Sequence, residues 1–286
     1  MLLQQIINGV FLGGIYALIA LGFTLIFGVS RIGNFAHADI AMLGAYVALI
    51  LTFELGMNYF LALLLSMCII GMLGVIIERV AFRPILSGGS ITSTFLVGIG
   101  LMHIIRNSAI VIFGSDTHAI RSPIPGNLVI GTISVSYMRL TALVITAVLI
   151  IGLFCILRFT SIGRAIRALA QDRDGARVVG IDNNRVNMFI FFISCALAAA
   201  AGTIMGTLFS VEPMMGVSPQ LKVFTIVIFG GMGSTLGAAL GGIILGLTEA
   251  MTIAYVSAAY ADVVGFAILI AVLLIRPWGL FGRPDR

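Results

Sequence analysis

The stretch that most resembles a chemical site is glycine-rich, with the sequence GGMGSTLG at Gly230–Gly237. Glycine-rich loops can cradle phosphate groups with their backbone N–H groups, but that pattern, G-x-x-x-x-G-K-[ST], needs a lysine after its last glycine. The single lysine of the chain, Lys222, lies upstream of the stretch. We therefore predict that Gly231, Gly233 and Gly237 permit a tight junction between two helices and do not bind nucleotide.

The sequence contains none of the spacings typical of a catalytic centre. Ser-x-x-Lys, His-Glu-x-x-His and G-x-S-x-G are all missing. The histidines are scattered and the three cysteines lie in apolar runs without paired spacing, which argues against a metal site or a disulfide framework. These residues are His37, His103 and His118, and Cys68, Cys155 and Cys195. We predict that the chain is not an enzyme and holds no cofactor of its own.

A few polar side chains interrupt the apolar runs. Asn34, His37 and Asp39 lie where a second helix is expected to begin, so Asn34 and Asp39 could cap that helix or complement its dipole. Arg106 lies within the fourth apolar run and needs a partner, for which Glu249 or Asp262 is predicted. A structural ion pair and the lining of a solute path both remain open for these residues.

The longest polar segment, Thr160–Asn187, is basic and predicts a helix–turn–helix. Thr160 or Ser161 can cap a first helix, and Asp172 or Asp174 can cap a second one at Gly175–Val179 that ends at Gly180. In the first helix one face is apolar and another is polar. The apolar face carries Ile162, Ala165, Ile166 and Leu169, and the polar face carries Arg164, Arg167 and Gln171. Two interpretations fit equally well: an amphipathic hairpin on a lipid surface, or a docking element for a partner protein.

The elements that would position these residues are membrane-spanning helices. The 286 residues are 60% hydrophobic and 9% charged, with a mean hydropathy of +1.18, whereas soluble domains are about a quarter charged. We predict an all-α polytopic membrane protein with one membrane domain over residues 1–286 and about eight or nine transmembrane helices. The net charge of +5 does not indicate nucleic-acid binding, because the arginines cluster in loops between apolar runs.

Nine apolar runs can be distinguished. Two of them are shorter than the roughly 20 residues that cross a bilayer, so we expect them to be tilted, broken or re-entrant. The runs are Ile6–Val29, Ile40–Phe53, Phe60–Ile77, Ile91–Phe113, Leu140–Leu157, Met188–Phe209, Val223–Phe229, Leu236–Ala254 and Val263–Ile275.

The arginines predict the orientation of the chain, because short cytoplasmic loops collect Lys and Arg. If Thr160–Asn187 is cytoplasmic, the other arginine-bearing loops fall on the same side, and Arg121 alone lies opposite. The cytoplasmic set is Arg31, Arg79, Arg83, Arg158, Arg164, Arg167, Arg173, Arg177, Arg185, Arg276, Arg283 and Arg286. We predict an outside N-terminus and a cytoplasmic C-terminus.

Several stretches together resemble permeases of the branched-chain amino acid type of ABC transporter, the LivH/LivM family. GRAIRALAQDRDGARVVGID resembles the family's cytoplasmic coupling loop, and Gly163, Ala168, Asp172, Ala176, Gly180 and Ile181 match its pattern. NGVFLGGIYALIALGFTLIFGV, IGNFAHADIAMLGAY, GGMGSTLGAALGG and RPWGLFG extend the resemblance over nearly the whole chain. Ala38 departs from the glycine that is usual after the histidine. The sequence is most similar to the LivH half of the family.

The resemblance implies a subunit of an ATP-driven importer in the inner membrane of a bacterium. Its expected partners are a LivM-like permease, two cytoplasmic ATPase subunits that bind ATP and magnesium, a periplasmic solute-binding protein and the lipid bilayer. The motif residues, with Arg164, Arg167 and Asp174, would couple the chain to the ATPases. The solute would be a branched-chain amino acid or a related small polar molecule.

An ion-coupled carrier working alone is the alternative. Such carriers bind their coupling ion near the middle of the membrane. The acidic residues here lie mostly at the ends of apolar runs, with Glu249 the nearest exception.

Overall fold

A computed structural model describes residues 2–86, 90–130 and 133–282. Outside its loops, the described part of the chain is helical apart from one antiparallel hairpin of strands β1 (Asn127–Ile130) and β2 (Ile133–Ser136), in which Leu128 lies opposite Val135. The helices are α1 (Leu2–Ser30), α2 (His37–Phe53), α3 (Tyr59–Ile77), α4 (Arg83–Leu86), α5 (Ile91–Phe113), α6 (Tyr137–Phe159), α7 (Ser161–Gln171), α8 (Arg173–Val178), α9 (Asn183–Leu208), α10 (Val217–Gly230), α11 (Thr235–Tyr255) and α12 (Ala261–Ile275). A π-helical turn, Glu78–Phe82, joins α3 to α4.

Each of the nine predicted apolar runs forms a helix. Within the described residues, seven helices are long and apolar enough to cross a membrane, and α2 and α10 are shorter apolar helices. The all-α polytopic fold is thus confirmed. Two arginines that the orientation prediction counted, Arg283 and Arg286, lie outside the described residues, as do positions 87–89, the end of the loop predicted after the third apolar run.

Helix α1 lies at the centre of the fold, buried along most of its length. Its main partner is α11, and glycines let the two backbones touch: a Cβ atom at Gly13 would lie 2.6 Å from the carbonyl oxygen of Gly242. Helix α9 packs in a similar way against α2 and α3, where a Cβ atom at Gly44 would meet Ala199. Small residues at such contacts are typical of membrane helices, which gain their association from close packing. In contrast, α5, α6 and α12 lie at the periphery.

Helices α2 and α10 both begin inside the bundle, which explains why they are short. The Nε2 atom of His37, the first residue of α2, lies 2.6 Å from the position of a Cβ atom at Gly22, eight residues before the end of α1. The first turn of α10 contacts the first turn of α2, because the side chain of Gln220 accepts a hydrogen bond from the backbone N–H of Ala38 at 3.0 Å. The segments that precede the two helices are positions 31–36, mostly buried, and positions 209–216, of which Val211, Pro213 and Gly216 are buried.

Candidate functional site

The α7–α8 hairpin begins with a sharp reversal of the chain at the end of α6. The hydroxyl of Thr160 accepts a hydrogen bond from the N–H of Gly163 at 3.0 Å, and so caps α7 as predicted. A Cβ atom at Gly163 would overlap the carbonyl groups of Ile156 and Leu157. Only glycine therefore allows α7 to fold back this closely on α6.

The two faces of α7 are divided as the sequence predicted. Gly163, Ile166 and Leu169 are buried against the bundle, while Arg164 and Arg167 are exposed. Arg167 donates a hydrogen bond to the backbone carbonyl of Leu157. Ala168 lies between the two faces and is partly exposed.

Helix α8 is held by its own capping groups. A carboxylate oxygen of Asp172 accepts a hydrogen bond from the N–H of Asp174 at 3.0 Å, so α8 begins at Arg173, two residues before the predicted start. Gly180 ends the turn with φ +83°, the left-handed conformation expected of it. Ala176 is buried and Ile181 packs against the core. Gly163, Ala176, Gly180 and Ile181 therefore shape the hairpin, and its outward surface comes from other residues.

The end of α8, positions 177–179, is called the tip of the hairpin here, and it exposes an apolar and basic surface that the sequence did not predict. Val178 is 87% exposed and Val179 is 74% exposed. The Nε atom of Arg173 is buried without a hydrogen-bond partner in the part of the chain that is described. Burial, together with nearby Arg177 and Arg31, lowers the pKa of the Arg173 guanidinium. The available signal was the pair of adjacent valines inside a charged segment.

The first intramembrane polar cluster forms where α2 begins. Arg106 of α5 donates hydrogen bonds to Asp39 over 3.0–3.2 Å, and the carboxylate is fully buried. The partner predicted for Arg106, Glu249 or Asp262, is therefore wrong. Because α2 begins inside the bundle, Asp39 lies at the same depth as Arg106. It also lies close to the start of α10, since a Cβ atom at Gly216, the residue before α10, would lie 2.8 Å from its carboxylate.

The capping role predicted for Asp39 is also wrong, because its carboxylate accepts hydrogen bonds from Arg106 and from no backbone N–H of α2. Asp39 lies in the first turn of α2, where a carboxylate complements the helix dipole as the sequence predicted. Asn34 closes the preceding turn by accepting a hydrogen bond from the N–H of Ala36 at 3.1 Å. The ring of His37 is buried and meets the ring of Phe23 edge-on at 6.2 Å. The first turn of α2 is thus held by the ion pair and by packing.

A second polar cluster, which the sequence analysis did not foresee, surrounds the single lysine. Lys222 of α10 lies 2.5 Å from the carboxylate of Glu249 of α11 and donates a hydrogen bond to the hydroxyl of Tyr16 at 2.9 Å. Asp262 of α12 lies 3.6 Å from the ammonium group and is mostly exposed. The sequence signal for this cluster was a single lysine beside an apolar run, because a charged group inside the membrane needs a partner.

The glycine-rich stretch forms the predicted junction between α10 and α11. Gly231 and Gly233 have φ of +100° and +86°, and Gly237 packs on the backbone of Gly230. The segment after α12 covers this junction, with the N–H groups of Leu280 and Phe281 bonded to the carbonyls of Phe229 and Gly230. The junction is therefore a packed corner on which α1 and the end of the chain converge.

Comparison with known proteins distinguishes an ABC-transporter permease from an ion-coupled carrier. Residues 5–273 match the family model described as "Branched-chain amino acid transport system / permease component". This chain belongs to that family. The permease is 37% identical over 297 residues to "High-affinity branched-chain amino acid transport system permease protein LivH" of Escherichia coli strain K12, an alignment that covers 99% of this chain and 96% of that protein.

Other relatives support the same family. BraD of Pseudomonas aeruginosa, the corresponding high-affinity permease protein, is 37% identical, with the same coverage of 99% and 96%. A probable LivH of Methanocaldococcus jannaschii is 26% identical, covering 98% of this chain and 92% of that protein. Among solved structures, "PsaBC from Streptococcus pneumoniae in complex with Fab" superposes with a TM-score of 0.51 at 15% identity, covering 98% of this chain and 94% of that one, which shows the fold alone.

The permease is thus a component of an ABC import system and a multi-pass protein of the inner membrane. An ion-coupled carrier is not supported, because the family and the relatives are described as permease components of transport systems.

Proposed function

We propose that this permease, paired with a LivM-like permease, forms the solute path of an importer for branched-chain amino acids or related small polar solutes. Two cytoplasmic ATPase subunits would bind ATP and magnesium, and a periplasmic binding protein would deliver the solute. The solute class follows the names of LivH and BraD. The α7–α8 hairpin would receive the ATPase and transmit its movement to the bundle.

The observation that carries the coupling role is an exposed surface on a hairpin that is packed against the bundle. Val178 and Val179 expose apolar surface beside the exposed Arg177, a combination suited to a partner groove with acidic walls. Gly163 joins the hairpin closely to α6, and Ile166 and Leu169 pack it against the core. A force on the tip would therefore reach α6 and the bundle without first bending a flexible linker.

The tip valines provide the first test. We expect Val178→Asp combined with Val179→Asp to weaken ATPase recovery on co-purification about tenfold or more, because burying a valine is worth about 1.5–3 kcal/mol and 1.4 kcal/mol corresponds to a factor of ten. Solute uptake should fall in parallel. Val129→Asp is the matched control, since Val129 is 66% exposed on β1, in the loop predicted to lie on the opposite face.

Ala168→Trp tests the same contact by overpacking. Its cost of about 1–3 kcal/mol should also lower ATPase recovery and uptake while leaving membrane insertion intact. Normal ATPase stoichiometry and normal uptake in both the valine variant and Ala168→Trp would remove the coupling role from this hairpin.

A further inference from the structure

A cavity of about 790 Å³ lies beside the hairpin and has no role in the function proposed above. Its floor is the last part of α1, and its walls are the end of α6, the inner side of α7, the α10–α11 junction and the segment after α12. We propose that this cavity binds an anionic phospholipid of the cytoplasmic leaflet, with the phosphate at its rim and part of an acyl chain on its floor. The assignment to that leaflet rests on the proposed function.

The cavity has a basic rim above an apolar floor. Arg158 and Arg167 line it, and none of the residues that line it is acidic. Its floor and walls are largely apolar, with Leu25, Phe154 and Leu236 among them. A zwitterionic solute or water would provide no hydrocarbon to pack against the apolar walls. A phospholipid offers both an anion for the arginines and a hydrocarbon chain for the apolar walls.

The two arginines have donors free for an anion. Arg158 stacks over the ring of Phe159 at 5.7 Å, and Arg167 donates to one backbone carbonyl. Neither forms an ion pair with an acidic side chain among the described residues. A guanidinium group carries five N–H donors and binds phosphate in a bidentate manner, so both arginines retain capacity for a phosphate ligand.

The depth of the rim suits a lipid headgroup. Arg158 is the penultimate residue of α6, and Trp278, which also lines the cavity, follows the end of α12 by three residues. Tryptophan is enriched at the boundary of the hydrocarbon, and basic residues near helix ends extend to the headgroup layer. The cavity therefore opens at the level where a phosphate of that leaflet lies.

A lipid held there would touch the coupling hairpin. Ile166, Arg167 and Ala170 of α7 form one wall, while Leu25 of α1 and Phe154 of α6 belong to the bundle. The bound lipid would bridge the two and stabilise the position of α7 relative to α6. Membrane composition would then affect the coupling of ATP hydrolysis to transport.

The single tryptophan of the chain makes occupancy measurable. We would reconstitute the assembled transporter in lipid nanodiscs and record quenching by brominated phosphatidylglycerol or brominated phosphatidylcholine. The fluorescence of Trp278 is obtained by subtracting the fluorescence of a Trp278→Phe transporter. This subtraction cancels the fluorescence of tryptophans in the partner subunits. We expect phosphatidylglycerol to be preferred by about fivefold for each arginine, since a basic residue near an anionic surface contributes about that much attraction.

Variants separate this cavity from general attraction to the membrane. Arg158→Gln with Arg167→Gln should abolish the preference for phosphatidylglycerol, and Ala170→Phe, which fills the cavity without changing charge, should lower quenching by both lipids. Arg164→Gln is the matched control, because Arg164 is exposed on α7 and does not line the cavity. It should keep the preference of the wild type.

Three outcomes would overturn the proposal: equal quenching by the two lipids, an unchanged preference after both arginines are replaced, or displacement of the lipid by inorganic phosphate in excess. The last would indicate a site for free phosphate. ATPase recovery is measured on the same samples. If Val178→Asp with Val179→Asp loses the ATPase but keeps the lipid preference, both proposals are supported. If that variant still binds the ATPase, the result counts against the docking surface alone.

Discussion

At the scale of single residues, two buried ion pairs join different helices of the membrane domain. Asp39–Arg106 joins α2 to α5, and Lys222–Glu249 joins α10 to α11. A buried pair contributes little net stability compared with apolar residues, but losing one partner leaves an uncompensated charge. Such pairs therefore specify which helices are neighbours more than they stabilise the fold.

This asymmetry gives a prediction for Asp39. Asp39→Leu should destabilise the folded protein by about 3–5 kcal/mol because Arg106 is left unpaired, and Asp39→Leu with Arg106→Met should recover much of the loss. Unfolding in detergent, followed by helical circular dichroism, measures both variants. Arg185→Gln is a control at an exposed pair, worth about 0–1 kcal/mol. A single variant as stable as the double variant would show that the pair does not hold α5.

At the scale of helices, glycines decide how closely α1 approaches α11. Gly9 and Gly13 of α1 face Gly242, Gly246 and Leu247 of α11, so backbone meets backbone over more than one turn of each helix. Contacts of this kind replace the hydrophobic driving force, which is missing between helices in lipid.

Gly13→Val tests this packing. A Cβ atom at Gly13 would lie 2.6 Å from the carbonyl of Gly242, so the helices would have to separate, at a cost of about 1–3 kcal/mol or more. We expect a lower yield of folded protein in size-exclusion chromatography and a lower melting temperature. Gly152→Val, within α6, makes the same change where no atom lies within 4 Å of the added Cβ, and should be nearly neutral. Equal losses in the two variants would point to helix propensity and away from the contact.

At the scale of the whole molecule, charge is segregated between the two ends of the bundle. The α7–α8 hairpin carries four arginines, and Arg158 and Arg185 flank it, whereas the loop between α5 and α6 carries only Arg121. This bias predicts a cytoplasmic hairpin and an outside N-terminus.

Two matched cysteine substitutions test the orientation. Asp116→Cys and Asp174→Cys both replace exposed aspartates, one in the α5–α6 loop and one in α8. In a background without Cys68, Cys155 and Cys195, an impermeant thiol reagent added to intact cells should label Asp116→Cys only, because the other thiol is inside. Labelling of Asp174→Cys from outside, before the cells are opened, would reverse the orientation.

The sequence by itself determined the features that depend on neighbouring residues. Thr160, Asp172 and Gly180 define the hairpin through caps and a left-handed turn, which act within a few residues. The apolar runs likewise identified each membrane helix, because the hydrocarbon selects for length and composition. The predicted start of α8 was two residues late because Asp172 and Asp174 can both cap a helix, and Asp172 is the one that does so.

Only the tertiary structure decided which distant groups meet. Arg106 pairs with Asp39, and Lys222 with Glu249, because α2 and α10 begin inside the bundle and bring their first turns beside α5 and α11. Nothing local in the sequence reports the depth at which a helix begins or which helix is its neighbour, since both follow from packing the whole bundle. The cavity beside α7 has the same origin, because its walls come from four separated parts of the chain.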